Sequence, residues 1–348
     1  MKAYVLNGIG DLSIEDVPIP ELKDSEVLVK VMAAGICGSD IPRIYQTGAH
    51  CHPLIPGHEF SGCVVNSGNA VNSLWMNRRV GVFPLIPCRT CKPCREKKYE
   101  MCRNYSYLGS RRDGGFAEYV AVPVDNLIEL PENVSYEAGA MLEPMAVAVH
   151  AMRRTSLRTE QNIVVCGLGT IGLLLTMFLK ECGMKNIFAI GNKEFQRAQM
   201  TRLGISEENY CDCRKQDVKQ WILQHTGGAG VDVFFECVGR NETFSQAVDS
   251  TTTAGEIVLI GNPHSDMMLA QNVYWKILRN QQKLSGTWNS SFTQQADDDW
   301  HYVLKRLIEK KIEPERFISH RYRLDELEQG IQIMRDKTED YIKIMGVK

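Results

Sequence analysis

Four cysteines, Cys88, Cys91, Cys94 and Cys102, fall in the stretch IPCRTCKPCREKKYEMCRNY, with two, two and seven residues between successive thiols. C-x-x-C turns bring two sulfurs to one ion without straining the backbone, and four thiolates are the donor set of a closed, tetrahedral structural zinc site. The stretch is short of aliphatics and crowded with charge: Lys92, Arg95, Glu96, Lys97, Lys98 and Glu100 lie between or beside the sulfurs. A metal would therefore stand in for the core that this small lobe cannot build. Two disulfides or four unrelated thiols are the other uses of such residues, and the spacing speaks against both.

At 348 residues the chain is long for one core, which points to two domains. Its net charge of −2 shows no basic excess, so nucleic acid and anionic membrane are not expected partners. No early stretch joins a charged segment, an apolar run and a small-residue cleavage site, and no apolar run is long enough to span a bilayer; a cytoplasmic protein is expected. The other eight cysteines are scattered, some in apolar settings such as IVVCGLG and VFFECVG. Buried free thiols of that kind suit a reducing compartment.

The first sixty residues read as strands and turns: MKAYVL, EVLVKVMAAGI and FSGCVV carry β-branched residues between Gly, Pro, Asn and Asp clusters. Within them stand Gly35-Ile36-Cys37-Gly38-Ser39-Asp40 and Gly57-His58-Glu59-Phe60. A lone Cys or His is more often a core residue than a ligand. A third residue changes the weight: Glu143, in GAMLEPMAVAVHAM, opens an apolar run where a carboxylate is costly unless a cation or hydrogen-bond donors meet it. Cys37, His58 and Glu143 would give zinc three protein ligands and leave one position open, as catalytic sites do.

From Gln161 the pattern changes. The apolar strand NIVVC runs into Gly167-Leu168-Gly169-Thr170-Ile171-Gly172 and then the helical run LLLTMFLKECG. Glycines so placed allow the tight turn, the approach of a pyrophosphate and the packing of helix on strand. G-x-G-x-x-G alone is weak; with a strand before it and a helix after it, it is strong. Strands and helices then alternate as far as GEIVLIG, the pattern of a parallel sheet covered on both faces. An acid that bonds the adenosine ribose is expected at the end of the second strand. Here NIFAI is followed by Gly191, Asn192 and Lys193, which opens space for a ribose phosphate, with Lys193 or Arg197 to pair with it; NADP is favoured slightly over NAD.

In order, the four-cysteine lobe, CGSD, GHEFSG, LEP and GLGTIG resemble the zinc-containing medium-chain dehydrogenases of the alcohol, sorbitol and threonine type. The stretches PRIYQTGAHCHPLIPGHEFSG and YLGSRRDGGFAEYV are further similar to the galactitol-1-phosphate 5-dehydrogenases and their polyol-phosphate relatives. The resemblance implies an α/β chain: a GroES-like, β-rich catalytic domain over residues 1–148 and 286–348, with the zinc lobe at about 86–105, and an inserted Rossmann domain with a doubly wound parallel sheet over 149–285. It implies catalytic zinc on Cys37, His58 and Glu143 with Glu59 as an occasional ligand, and structural zinc on Cys88, Cys91, Cys94 and Cys102. It also implies that Ser39 bonds the reacting alcohol, that Asp40 orients His58, and that the chain forms a homodimer or homotetramer. Pro42 stands where many relatives have a histidine that passes the proton outward, so water or His50 must serve instead.

The activity implied is hydride transfer between a polyol, in particular a sugar-alcohol phosphate, and NAD(P). Arg111 and Arg112, between Gly109-Ser110 and Asp113-Gly114-Gly115, are candidates for the substrate phosphate because guanidinium donors grip its oxygens in pairs; Arg43 and His50 come next. A dehydrogenase of plain polyols or of threonine, and a zinc-stabilised binding protein without chemistry, are the competing readings.

Overall fold

Strand Glu26–Ile36 is the axis of the first unit. The computed structural model describes residues 1–348, which divide into two units, Met1–Ala146 with Ser290–Lys348, and Val147–Asn289. Val27, Val29 and Val31 recur with period two, so they share one face, and all three are buried in the core. One edge of the strand pairs antiparallel with Glu59–Ser67 along most of its length. The other edge is shared: Tyr119–Pro123 runs beside Glu26–Lys30, and Lys343–Val347 beside Ala33–Ile36. The sheet thus runs Ile318–Arg323, Lys343–Val347, Glu26–Ile36, Glu59–Ser67, Arg79–Val82, Leu127–Glu129. Helix Leu327–Asp336 lays Leu327, Ile331 and Met334 onto the same core, and ends where Lys337 takes the left-handed conformation at φ 54°. Each large aliphatic side chain so buried contributes about 1.5–3 kcal/mol relative to leaving it in water.

The second half of the axial strand is built from small residues for a reason. A Cβ at Gly35 would lie 2.5 Å from Oε2 of Glu59, its partner on the next strand. Only glycine lets that carboxylate cross to the middle of the sheet.

The second unit is a six-stranded parallel sheet in the order Tyr210–Asp212, Asn186–Gly191, Asn162–Cys166, Val231–Glu236, Thr251–Leu259, Lys283–Gly286. Its central strands are nearly continuous apolar runs, because helices cover both faces of such a sheet. Strand order reverses on either side of Asn162–Cys166, which makes its carboxyl end the switch point where α/β sheets bind ligands. The unit ends at Asn289, beyond the border expected at 285. That border would have cut strand Lys283–Gly286, whose pairing from Glu256 with Lys283 to Leu259 with Gly286 makes it the sheet's sixth member. The polar stretch before it hid the continuation; helix Gln271–Asn280 restores the alternation. No helix is long and apolar enough to cross a membrane.

Candidate metal and nucleotide sites

The cysteine lobe is short turns around four sulfurs. Between the paired strands Leu85–Ile86 and Ser106–Tyr107 lie a four-residue helix, Lys92–Arg95, and a single 3₁₀ turn, Tyr99–Met101. Sγ of Cys88 is 3.9 Å from that of Cys94, Sγ of Cys91 is 3.9 Å from that of Cys102, and all four lie within 4.8 Å of one another. Sulfurs tetrahedrally disposed at the usual zinc–sulfur length would be roughly 3.8 Å apart. The donor set and its spacing therefore fit zinc. Arg89 and Lys97 both hold positive φ, at 60° and 59°, without being glycine. Each costs about 1–2 kcal/mol, so something in the lobe must offset it. The Thr90 hydroxyl and nearby backbone donors pull Cys88 down to about 5, while burial pushes Cys94 up to about 12.

The second cluster forms where the axial strand ends. The chain leaves Ile36 through Cys37-Gly38-Ser39 and turns into a short helix at Asp40. Asp40 is fully buried and organises the turn: it accepts the Cys37 N–H at 3.0 Å and the Arg43 guanidinium at 2.5 Å, and its Oδ1 stands 3.4 Å from Nδ1 of His58. His58 arrives just before strand Glu59–Ser67, the axial strand's neighbour. Ligand atoms of Cys37, His58 and Glu59 fall within 4.8 Å of one another, and the Ser39 hydroxyl donates to the Cys37 sulfur at 3.3 Å.

Glu143 is not within that distance of all three. It lies at the start of helix Leu142–Met152, buried, and accepts the Tyr107 hydroxyl at 3.2 Å. Burial is the main cause that raises its carboxyl to about 7; His58, Lys343 and Tyr107 act against this, and the charge of Glu59 adds to it. Burial alone would lower the pKa of His58, but Asp40 and Cys37 outweigh it and hold the imidazole well above its ordinary value. The His58 Nδ1 is buried without an aligned hydrogen bond. A thiol, an imidazole and carboxylates gathered in this state are a donor set that zinc takes, with release of the imidazole's proton.

Two residues at this site escaped the sequence reading. Tyr107 belongs to the strand leaving the cysteine lobe, and Lys343 to the chain's last strand. Lys343 is buried to 2% exposure and donates to Glu59 Oε2 at 2.5 Å and to the Ile36 carbonyl at 3.1 Å. Nothing local marks either residue; only the pairing of distant strands brings them here.

The expected phosphate ligands separate. Arg112 is a correction: it pairs at 2.7 Å with buried Glu26 and donates to the Ala121 carbonyl, so it braces the sheet. Arg43 is paired with Asp40. Arg111 is exposed, stacked 4.8 Å over the Tyr105 ring, and its carbonyl faces the Cys51 thiol at 3.8 Å. What burial His50 has lowers its pKa, and the charges of Arg111 and Arg43 lower it further. Arg43 and Arg111, one from each distinctive stretch, therefore both bear on His50 and favour its neutral form, and Arg43 is joined through Asp40 to the Cys37 cluster.

The glycine turn takes the expected form. Gly167 sits at φ 95°, a Cβ on Gly169 would meet nothing within 4 Å, and a Cβ on Gly172 would lie 2.0 Å from the Gly167 carbonyl oxygen. Thr170 and Ile171 open helix Thr170–Glu181, whose amide end faces the turn. The open space expected beside Gly191 is absent. Its Cβ position lies 2.7 Å from Gln196 Oε1 and from the Tyr210 hydroxyl. Gln196 is held there: it accepts the Asn192 N–H at 3.0 Å and donates to the Leu168 carbonyl at 3.2 Å, tying the strand end to the turn. Arg197 pairs with Glu207 at 3.1 Å, and Lys193 stacks on Phe195. The stretch CDCRK adds a cation the sequence reading passed over: Arg214, paired with Asp212 at the end of the strand beside Gly191.

With the geometry in view, the relatives can be weighed. Residues 23–132 match the alcohol dehydrogenase GroES-like domain, and residues 170–309 the zinc-binding dehydrogenase domain. Galactitol 1-phosphate 5-dehydrogenase of Escherichia coli K12 is 32% identical over 95% of this chain and 96% of its own. A crystal structure of galactitol-1-phosphate dehydrogenase from E. coli superposes with a TM-score of 0.93 at 31% identity, covering all of both chains. Sorbitol dehydrogenase of Bacillus subtilis is as similar, 32% identical over 76% of this chain and 75% of its own. Two other solved structures cover all of this chain and 99% of theirs: one from Sinorhizobium meliloti 1021 bound to NADP, at 28% identity and TM-score 0.90, and an alcohol dehydrogenase from E. coli CFT073 complexed with NADH, at 25% and 0.91. By both domain matches and by full-length identity, the chain belongs to the zinc-dependent medium-chain dehydrogenase/reductase family.

Proposed function

We propose that this chain oxidises a secondary alcohol of a phosphorylated polyol and passes the hydride to a nicotinamide dinucleotide. The observation that carries the reading is the pair of arginines that bear on His50, Arg43 and Arg111, the first of them linked through Asp40 to Cys37 and His58. It puts charge for a phosphate beside the groups that would handle the hydroxyl. Likeness to galactitol 1-phosphate 5-dehydrogenase supports the same substrate class.

Cys37, His58 and Glu143 are the proposed ligands of a catalytic zinc, and the four cysteines of the lobe those of a structural one. Zinc held at Cys37 would act as a Lewis acid that lowers the pKa of the substrate hydroxyl. The chain's own residues do the rest. Ser39, whose hydroxyl already sits 3.3 Å from the Cys37 sulfur, takes the hydroxyl's proton. His50 or water carries it outward, since Pro42 offers no ring nitrogen. Asp40 holds His58 in orientation, and Tyr107 holds Glu143. The turn from Gly167 to Gly172 receives the dinucleotide's pyrophosphate on its amides.

The substrate test measures Arg111→Ala on phosphorylated and plain polyols, since Arg43 also partners the buried Asp40 behind Cys37 and His58 and its loss would disturb both substrates. A hydrogen bond to a charged group contributes about 1.5–3 kcal/mol, so losing the phosphate contact should cut kcat/KM for the phosphorylated substrate about ten- to a hundredfold. Turnover of the plain polyol, which never made the contact, should change far less. An equal loss on both substrates would remove the phosphate from the proposal. A plain polyol is the second reading, favoured by the ion pair that already engages Arg43 with Asp40.

For the cofactor we propose NADP over NAD, from the missing carboxylate at Gly191 and from Lys193 and Arg197 just beyond it. Because Gln196 and Tyr210 fill the space at Gly191, Gly191→Asp would test packing as much as charge. Lys193→Glu avoids that, and should lower kcat/KM with NADP by about tenfold more than with NAD. Equal or better turnover with NAD in the native enzyme would refute the preference.

A further inference from the structure

Lys343 and Glu59 lie on strands that are not neighbours. The axial strand runs between them, pairing Gly35 with Glu59 on one side and with Met345 on the other. A lysine can bridge that distance only if nothing projects from the strand between. Gly35 provides the lane: its absent Cβ would meet Glu59 Oε2 at 2.5 Å and the Lys343 Cδ at 3.4 Å. The resulting pair is sealed, each side chain 2% exposed, and the Lys343 ammonium also grips the Ile36 carbonyl, one residue before Cys37. Yet Glu59 also has a carboxylate oxygen within 4.8 Å of the ligand atoms of Cys37 and His58. One carboxylate therefore has two claimants, the ammonium and a metal at Cys37.

We infer that Lys343 is a positioning residue that holds Glu59 away from the metal and so keeps a coordination position open for substrate. This rests on the zinc reading of Cys37 and His58. A buried carboxylate without a partner is costly, and it turns to the nearest cation. With the ammonium gone, that cation is the metal, and Glu59 becomes a permanent ligand that closes the site. Lysine suits the task because its ammonium meets Glu59 Oε2 and the Ile36 carbonyl together. Groups behind metal ligands typically alter metal affinity or activity by about 10- to 100-fold when removed, which sets the scale.

The test uses full-length enzyme loaded with zinc or with cobalt, and four variants: Lys343→Met, Lys343→Arg, Glu59→Gln and the double Lys343→Met/Glu59→Gln. Lys343→Met should slow chelator-driven loss of the Cys37-site metal and lower kcat/KM, each by about 10- to 100-fold. Its cobalt spectrum should shift and stop responding to substrate. Adding Glu59→Gln should restore the cobalt response and the metal-loss rate to those of Glu59→Gln alone, because a neutral amide has no need of the ion. Lys343→Arg should keep the native spectrum. Lys343→Gln, which keeps a donor for the Ile36 carbonyl, replaces the methionine variant should that chain not fold. A native cobalt spectrum and native metal-loss rate in Lys343→Met or Lys343→Gln, or no rescue by Glu59→Gln, would overturn the inference. Failure of the zinc reading shows separately: the native enzyme would then hold one metal per chain, and Cys37→Ala would hold as many.

Discussion

Replacing Cys37 by alanine is expected to lower turnover about a thousandfold or more while leaving a folded chain that still binds the dinucleotide. The loss follows from what the side chain does. Its sulfur is one of the ligand atoms gathered in the Cys37, His58 and Glu59 cluster, and the Ser39 hydroxyl is oriented onto it. Polarisation of a substrate oxygen by a metal is worth several kcal/mol of barrier, and about 4 kcal/mol is a factor of a thousand. The fold should be spared because Cys37 is half-exposed and stands after the axial strand, whose pairing ends at Ile36. Asp40 would still accept the backbone N–H at position 37, since that bond does not involve the thiol. Metal analysis should find the chain's metal content reduced by one, with nucleotide binding by fluorescence titration unchanged. Native turnover in the variant would show that the chemistry lies elsewhere.

The sequence makes this site legible only in part, and the boundary is physical. Cys37 and His58 could be read because glycine-flanked turns and ligand chemistry are local signals. The lobe was clearer still, since spacing alone brings four sulfurs together. Lys343 could not be read: it comes 284 residues after Glu59, and only the shared edge of the axial strand brings them together. Arg112 failed for the same reason. Its neighbourhood looks like a phosphate loop, but its partner Glu26 is on a strand far away in the sequence, and Arg112 also donates to the Ala121 carbonyl of a third segment. Gly191 shows the opposite error. A missing side chain was read as a space, yet Gln196, five residues on, folds back from its helix and fills it. Local pattern reports which groups the backbone can present. It does not report which distant group has already engaged them.

Cys94→Ala should produce the reverse of Cys37→Ala: a large loss of stability in the first unit. The lobe has a four-residue helix, a single 3₁₀ turn and two left-handed residues that are not glycine. None of these persists alone, for one helical turn fixes several residues for a single hydrogen bond. What the sulfurs share is the lobe's centre. Cys94 and Cys102 are its two buried members, so alanine at 94 would remove an inner ligand of the proposed structural zinc. Metal ligation in such small units is itself folding free energy, and losing one of four ligands should cost at least about 3 kcal/mol. For a unit of this size that lowers the unfolding midpoint by about 6–12 °C. The lobe also leads directly into Tyr107, which holds Glu143, so activity should fall as well, but as a consequence of loosening. Calorimetry on the two variants side by side provides the measurement, with trypsin cleavage at Arg95, Lys97 or Lys98 as a local readout. If Cys37→Ala were the less stable of the two and the Cys94→Ala lobe resisted trypsin, the structural and catalytic sites would have to be exchanged.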